Sequence, residues 1–332
     1  MNLGVSTMKA LVCDKYGMPD DLHLEEVAIP LPKAHEVLIA VHAASVNSWD
    51  WDLVRGKPYL TRLAAPRRPR QRILGADVAG RVVAVGSSVQ RYQPGDEVFG
   101  DLSGCGWGGF AEYVCAGEEA VTPKPVGISF EQAAAIPQAA VLALQGLRDV
   151  GKLRKGSRVL INGAGGGVGT FAIPFAKLHD AEVTGVDAAE KLQVMRSVGA
   201  DHVVDYRDAD FTASDRRYDL ILDVVGNRSV FGIKRVLGKG GTYVMVGGTM
   251  PNILSALLAA PLIARLEQKT VKLLLHKPKH EDQLVWKELV EAGQVVPVID
   301  RVFSLGNAAE AIRYLGEGRA RGKVVVSMDP QV

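Results

Sequence analysis

The sequence has only three cysteines, Cys13, Cys105 and Cys115, and no pair has the CxxC spacing of a metal knuckle. A disulfide framework is excluded. Charge of one sign is also lacking: 39 Lys and Arg against 37 Asp and Glu leave a formal +2, so neither nucleic acid nor an anionic membrane is expected as a partner. The densest basic run, Arg62, Arg67, Arg68, Arg70 and Arg72, is broken by Pro66 and Pro69 and reads as a solvated loop. No apolar run reaches bilayer length. The longest, Ile253 to Leu266, contains Pro261 and Arg265 and predicts a buried or interfacial helix, not a membrane span. The opening MNLGVSTMKA has no apolar export core and no Arg-rich amphipathic pattern, so the expected location is cytoplasmic and reducing.

Glycine is abundant, with 36 residues, and 332 residues predict about two domains. Up to about residue 130 short apolar or alternating runs recur: Lys9 to Cys13, Glu36 to Ala43, Ala79 to Val85, Glu97 to Phe99 and Ala111 to Val114. Turns such as Pro94-Gly95-Asp96 separate them, and the pattern predicts a small barrel or sandwich. Ser129 and Gln132 form a capping box for a short helix ending before Pro137. From Arg158 strands and helices alternate. Strands are predicted at 158–162, 182–187, 202–204, 218–225, 241–246 and 270–275, with helices at 168–179 and 190–199. This alternation predicts an α/β fold with a doubly wound parallel sheet. The tail predicts a helix at 281–291, an extended run at 295–303, a helix at 308–316 and a last strand at 323–327 that returns to the first domain. The expected domains are 1–132 with 277–332, and 133–276.

The segment VLINGAGGGVGTFAIPFAKL carries the strongest signal. A β-branched strand runs into Gly163, Ala164, Gly165, Gly166, Gly167, Val168 and Gly169 and then into a helix. Such glycines let backbone N–H groups approach a pyrophosphate at the positive end of a helix dipole. Pro174 falls inside that helix and should bend it. Asp187 ends the second strand, where a carboxylate would bond the adenosine ribose; Asp187 to Glu190 also reads as a helix cap. Lys191 and Tyr206 offer a 2′-phosphate a charge and a hydroxyl, so the residues alone leave NADH and NADPH open.

SVNSWDW (Ser45 to Trp51), LGADVAGRVVAVG (Leu74 to Gly86), GDLSGCGWGGFAEYV (Gly100 to Val114), the glycine turn, GADHVVDY (Gly199 to Tyr206) and ARGKVVV (Ala320 to Val326) complete a pattern covering residues 8 to 328. In these the chain resembles the medium-chain dehydrogenases/reductases, and most the zinc-free quinone-oxidoreductase (ζ-crystallin-like) branch. The resemblance implies a GroES-like β-rich catalytic domain completed by the C-terminal strands, a Rossmann domain, an active site in the cleft between them, and a homodimer often formed through the last Rossmann strand. Because related reductases keep a Lys and a Tyr by the NADPH 2′-phosphate, the matching Lys191 and Tyr206 favour NADPH. Zinc-dependent relatives carry a Cys where Asn47 stands and His-Glu where Ala76-Asp77 stand, and their four-cysteine lobe is missing here, so no metal is expected.

Without a metal to stabilise an alkoxide, hydride from a reduced nicotinamide suits an electron-poor acceptor, a quinone or an α,β-unsaturated carbonyl. By match to the family, Asn47 positions the nicotinamide or donates to substrate. Asp50 reads as fixing the loop more than donating a proton, and Trp51 can stack on a planar acceptor. Trp107 either caps the pocket or anchors packing; Leu142 stands where relatives have a Thr beside the nicotinamide. Asp223 and Val225 should border the dinucleotide, the backbone of Val246, Gly247 and Gly248 should hold the nicotinamide amide, and Lys323 reaches a phosphate or solvent. Two other readings stand beside this one: a metal-free NADPH alcohol or aldehyde reductase, and a non-catalytic NADPH-binding protein.

Overall fold

The computed structural model describes residues 7–63 and 65–328; residues 1–6 and 329–332, at the ends of the expected outer domain, lie outside them. The chain divides into two compact units, residues 1–138 with 278–332, and residues 139–277.

The first unit holds β1 (Thr7–Val12), β2 (His23–Ala28), β3 (Glu36–Val46), α1 (Ser48–Arg55), β4 (Asp77–Val85), β5 (Glu97–Asp101), β6 (Tyr113–Gly117), β7 (Val121–Pro123) and α2 (Phe130–Ala134). After the second unit the chain returns as α8 (His280–Glu291), β14 (Ile299–Ser304), α9 (Ala308–Gly316) and β15 (Lys323–Ser327). The main sheet runs β14-β15-β3-β4-β5-β7, with β6 also on β3. β3 makes this possible because it is long: Val37 to Ala40 pair with β6, and Ala43 to Val46 pair with β15. Its Val37, Ile39, Val41 and Val46 enter one core with Val78, Val98, Phe110, Val324 and Val326, each such aliphatic burial stabilising by roughly 1.5–3 kcal/mol.

β2 is a strand that the hydrophobic pattern does not predict. Its sequence HLEEVA has no buried residue and pairs antiparallel with β1, so backbone pairing rather than apolar periodicity holds it. The Ser129 capping box forms: Gln132 N donates to Ser129 Oγ at 3.2 Å and Ser129 N to Gln132 Oε1 at 3.1 Å. Pro137 does not merely end that helix; it opens α3 (Pro137–Leu144), where its missing N–H costs nothing.

The second unit contains β8 (Arg158–Asn162), α4 (Gly167–Lys177), β9 (Glu182–Asp187), α5 (Leu192–Ser197), β10 (His202–Asp205), β11 (Tyr218–Asp223), α6 (Val230–Val236), β12 (Leu237–Met245), α7 (Met250–Glu267) and β13 (Thr270–Leu273). All six strands are parallel, in the order β10-β9-β8-β11-β12-β13. The order reverses between β8 and β11, the switch point at which doubly wound sheets bind ligands. α4 runs through Pro174 to Lys177.

Of the two expectations for α7, buried or interfacial, the first does not hold. α7 is an 18-residue helix long and apolar enough to cross a membrane by length and composition, and it is not buried: Leu254, Leu257, Leu258, Leu262 and Leu266 are all exposed. Only Ala256 and Ile263 enter the core, so the apolar character surrounds the helix instead of lying on one face.

Candidate active site

At the switch point the β8–α4 turn has the geometry of a phosphate cradle. Gly163 has φ +85°, a left-handed conformation that favours glycine, and donates to Val186 O at 2.9 Å. A Cβ on Gly169 would lie 2.3 Å from Ala164 O, so only glycine lets α4 approach the turn this closely. Thr170 is the first residue of α4 to donate within the helix, to Gly166 O at 3.0 Å. Gly167, Val168 and Gly169 precede it, and their N–H groups lie at the positive end of the helix, where an anion is favoured. These residues fit a dinucleotide pyrophosphate.

Asp187, at the end of β9, is not a helix cap. Its Oδ2 accepts from Gly165 N at 3.0 Å and its Oδ1 from Ala188 N at 2.9 Å, while Lys191 Nζ lies 3.4 Å from Oδ1. The carboxylate therefore ties β9 to the glycine turn. Tyr206 N donates to Asp187 O at 3.2 Å, and Arg207, paired with Glu190 at 2.8 Å, lies over the Tyr206 ring. Lys191, Tyr206 and Arg207 thus gather at the ends of β9 and β10.

Asp223, at the end of β11, is fully buried and turned inward. Its Oδ1 accepts from Asn162 Nδ2 at 2.8 Å, Gly226 N at 2.7 Å and Val225 N at 3.2 Å; its Oδ2 accepts from Tyr243 Oη at 3.0 Å. Burial raises the carboxyl above its ordinary range despite these donors. Its side chain shapes the turn, leaving the backbone and Val225 as the surface there. Val246 N donates to Asp223 O at 2.8 Å, and Asn252 Nδ2 to Gly226 O at 2.8 Å, which joins the 246–248 turn to the turn after β11. Leu142 is half-buried on α3 in this unit.

The first unit holds a second constellation that the sequence reading missed. Asp77, at the start of β4, is fully buried and accepts from Ser45 Oγ at 2.9 Å, Asn47 Nδ2 at 2.9 Å and Gln138 N at 3.1 Å. Lys323, at the start of β15, is 2% exposed; its Nζ donates to Asn47 Oδ1 at 2.7 Å and lies 3.4 Å from Asp77 Oδ2. Lys323 is thus not solvated; it is buried in the first unit beside Asn47 and Asp77. Burial raises the Asp77 carboxyl, with the ammonium opposing, and burial lowers Lys323, with Asp77 opposing. The array fixes Asn47 without ambiguity: its oxygen must face the ammonium and its nitrogen the carboxylate.

Asp50, fully buried, accepts from Asn47 N at 2.8 Å and from Gly75 N at 3.0 Å, so it ties the start of α1 to the 74–76 segment. Burial pushes its carboxyl up to about 7. Trp51 is not open for stacking: a Cβ on Gly316 would lie 2.2 Å from its Cδ2, and Arg55 lies over the ring at 4.5 Å. Trp107, 7% exposed, is a packing anchor. Trp49 is the indole that faces outward on α1, at 53% exposure. In the basic run, Arg67, Arg68 and Arg70 are exposed as a solvated loop would have them, but Arg62 and Arg72 are engaged. Arg62 donates to Gly56 O and Arg55 O, at 3.0 and 2.9 Å.

A GroES-like β-rich unit joined to a doubly wound unit with a dinucleotide turn defines a class, the two-domain nicotinamide dehydrogenases. Residues 33–126 match the alcohol dehydrogenase GroES-like domain family, and residues 198–326 the zinc-binding dehydrogenase family. A chloroplast envelope quinone oxidoreductase homolog of Arabidopsis thaliana is 33% identical, over 96% of this chain and 98% of the relative. The 2-methylene-furan-3-one reductase of Solanum lycopersicum is 34% identical, over 98% and 80%. The solved quinone oxidoreductase of Coxiella burnetii superposes with a TM-score of 0.88 at 30% identity, over 98% of this chain and all of that one. The chain belongs to the medium-chain dehydrogenase/reductase superfamily, in its quinone-oxidoreductase branch.

The second family's description raises the question of zinc, and the residues do not fit it. Around Asp77 stand an amide, a hydroxyl and an ammonium, with Ala76 beside it; none is a thiolate or imidazole. Among the described residues, Asp14, His23 and Glu25 also converge, but the Arg72 guanidinium already lies between the carboxylates, at 2.7 and 2.6 Å.

Proposed function

We propose that the chain is an NAD(P)H-dependent oxidoreductase that passes hydride to a quinone or an α,β-unsaturated carbonyl, takes NADPH, and needs no zinc. The observation that carries this reading is the buried Lys323–Asn47–Asp77 array. An ammonium bonded to Asn47 and paired with Asp77 stands beside the positions where zinc-dependent relatives, by the resemblance, carry metal ligands.

When bound, the dinucleotide supplies the hydride. The chain's residues do the rest. The glycine turn and the start of α4 hold the pyrophosphate. Asn47, oriented by Lys323 and Asp77, has a second N–H on Nδ2, which we assign to the acceptor's carbonyl oxygen or the nicotinamide amide. Asp50 is a positioning residue, because both its oxygens accept backbone N–H groups and it has no exposed surface. The proton that completes reduction then comes from solvent.

NADPH is favoured because Lys191, Tyr206 and Arg207 gather at the ends of β9 and β10, where a 2′-phosphate would replace Asp187 and Glu190 as the partner of the two cations. A homodimer is favoured because β13 is an edge strand and α7, with its exposed leucines, packs on it. Light scattering on the eluting protein tests that directly. Three free cysteines suit a reducing compartment, the cytoplasm in the simplest case.

The decisive assay follows NADPH oxidation with 9,10-phenanthrenequinone, an acyclic enone and a saturated aldehyde, each with and without a chelator. Quinone and enone turnover that is indifferent to chelator is expected. Activity confined to the aldehyde, or lost on chelation, would sink the reading.

A further inference from the structure

The aromatic face singled out in the sequence, Trp51, is consumed by packing, and the structure puts another indole in its place. We propose that Trp49 is the stacking platform for planar, fused-ring quinones and sets their preference over acyclic acceptors; this rests on the quinone and enone reading above.

Asn47, the cap of α1, and Asp50 in its first turn are held inward by Lys323, Asp77 and the backbone of Gly75. That fixes the start of the helix and leaves Trp49 pointing out at 53% exposure. Trp51 has Gly316 against its ring and Arg55 over it. Trp49 instead has one indole neighbour, Trp107, with centroids 6.4 Å apart and planes at 33°. A second loop is built to hold that neighbour. Trp107 has φ +66°, a left-handed conformation uncommon for a bulky residue, between Gly106 at +122° and Gly108 at +107°. Its N–H donates to Leu102 O at 3.1 Å, and its side chain is 7% exposed. Backbone strain kept for one buried indole has a purpose if that indole steadies the exposed one. Trp49, so backed, offers a fixed electron-rich face two residues from Asn47, and an electron-poor fused ring is the ligand such a face stacks on best.

The test compares Trp49→Ala, Trp49→Phe and Trp51→Phe on 9,10-phenanthrenequinone and on an acyclic enone. Trp49→Ala should raise KM for the quinone about tenfold, with kcat held and the enone's KM within about twofold; Trp49→Phe should recover most of the loss. Equal changes for both acceptors, or none, overturn the platform while the functional reading stands. Quenching of tryptophan fluorescence by the quinone, without NADPH, gives an arm independent of turnover. Quenching retained in Trp51→Phe and lost in Trp49→Ala supports the platform even if wild type reduces neither acceptor, which would sink the functional reading. Quenching unmoved by Trp49→Ala overturns it.

Discussion

Replacing Lys323 with Met keeps the length and volume of the side chain and removes its charge, which isolates the electrostatic role of a residue 2% exposed inside the first unit. Two interactions vanish, the 2.7 Å bond to Asn47 Oδ1 and the 3.4 Å pair with Asp77. Removing one partner of a buried pair leaves an uncompensated charge, at a cost of about 3–5 kcal/mol. For a unit of this size that lowers Tm by roughly 6–20 °C. The deficit must depend on pH. Asp77 already has its carboxyl raised by burial, with Lys323 as the principal opposing influence. Without Lys323 it rises further. A carboxyl raised in the folded state favours folding below its unfolded pKa and loses that contribution as pH rises through the folded one. The Met variant should therefore lose little near pH 4 and most at pH 8. Lys323 also opposes the burial that raises Asp50, so its removal raises that carboxyl too and adds to the slope in the same direction. Thermal melts across pH 4–8, with Asp77→Asn and the double variant, complete the cycle. A coupling of at least about 2 kcal/mol at pH 8 is expected, since Met beside Asn leaves no buried charge. Additive losses, or a deficit flat with pH, would refute the ion-pair argument.

Three further outcomes follow from the second unit. Lys191→Ala should raise KM for NADPH by about tenfold or more, the worth of one charged hydrogen bond, and leave NADH within about twofold; parallel changes would remove Lys191 from the 2′-phosphate. Gly169→Ala places a Cβ 2.3 Å from Ala164 O, so the turn must shift, costing roughly 1–3 kcal/mol in unfolding free energy and most of the dinucleotide affinity measured by nicotinamide fluorescence. Tyr243→Phe leaves Asp223 Oδ2 without its 3.0 Å donor, a loss of about 1–3 kcal/mol by denaturant titration. Because burial raises Asp223, that loss should grow as pH rises from 4, and a loss that shrinks instead would contradict the assignment.

The local part of the structure was legible because its causes are local. Arg158–Asn162, Glu182–Asp187, Ala308–Gly316 and Lys323–Ser327 have the bounds that periodicity predicts, and the glycine turn is a contiguous strand–turn–helix. β2 was not legible, since a strand without buried side chains leaves no period-two apolar signal. For α7 buried and interfacial could not be separated in sequence, because apolar composition does not say which face is covered. Asp187 to Glu190 has the letters of a capping box, yet backbone N–H groups of the glycine turn compete for the carboxylate and win.

The candidate site in the first unit fails to show in sequence for a further reason. Lys323 meets Asn47 and Asp77 from 276 and 246 positions away, a pairing that no spacing rule encodes. A lysine after glycine at a strand start looks solvated, because lysine usually is. What reverses that expectation is β15 lying between β14 and β3: Ile299 pairs with Lys323 and Val324 with Val46, which places the lysine beside Asn47. Asn47 Oδ1 and Asp77 Oδ2 accept two of the three ammonium protons buried there, which holds Asn47 as a fixed amide and Asp77 as its anchor. Lys323 puts a cation beside the positions that the resemblance aligns with metal ligands, so building a metal site here would require removing Lys323 as well as supplying ligands.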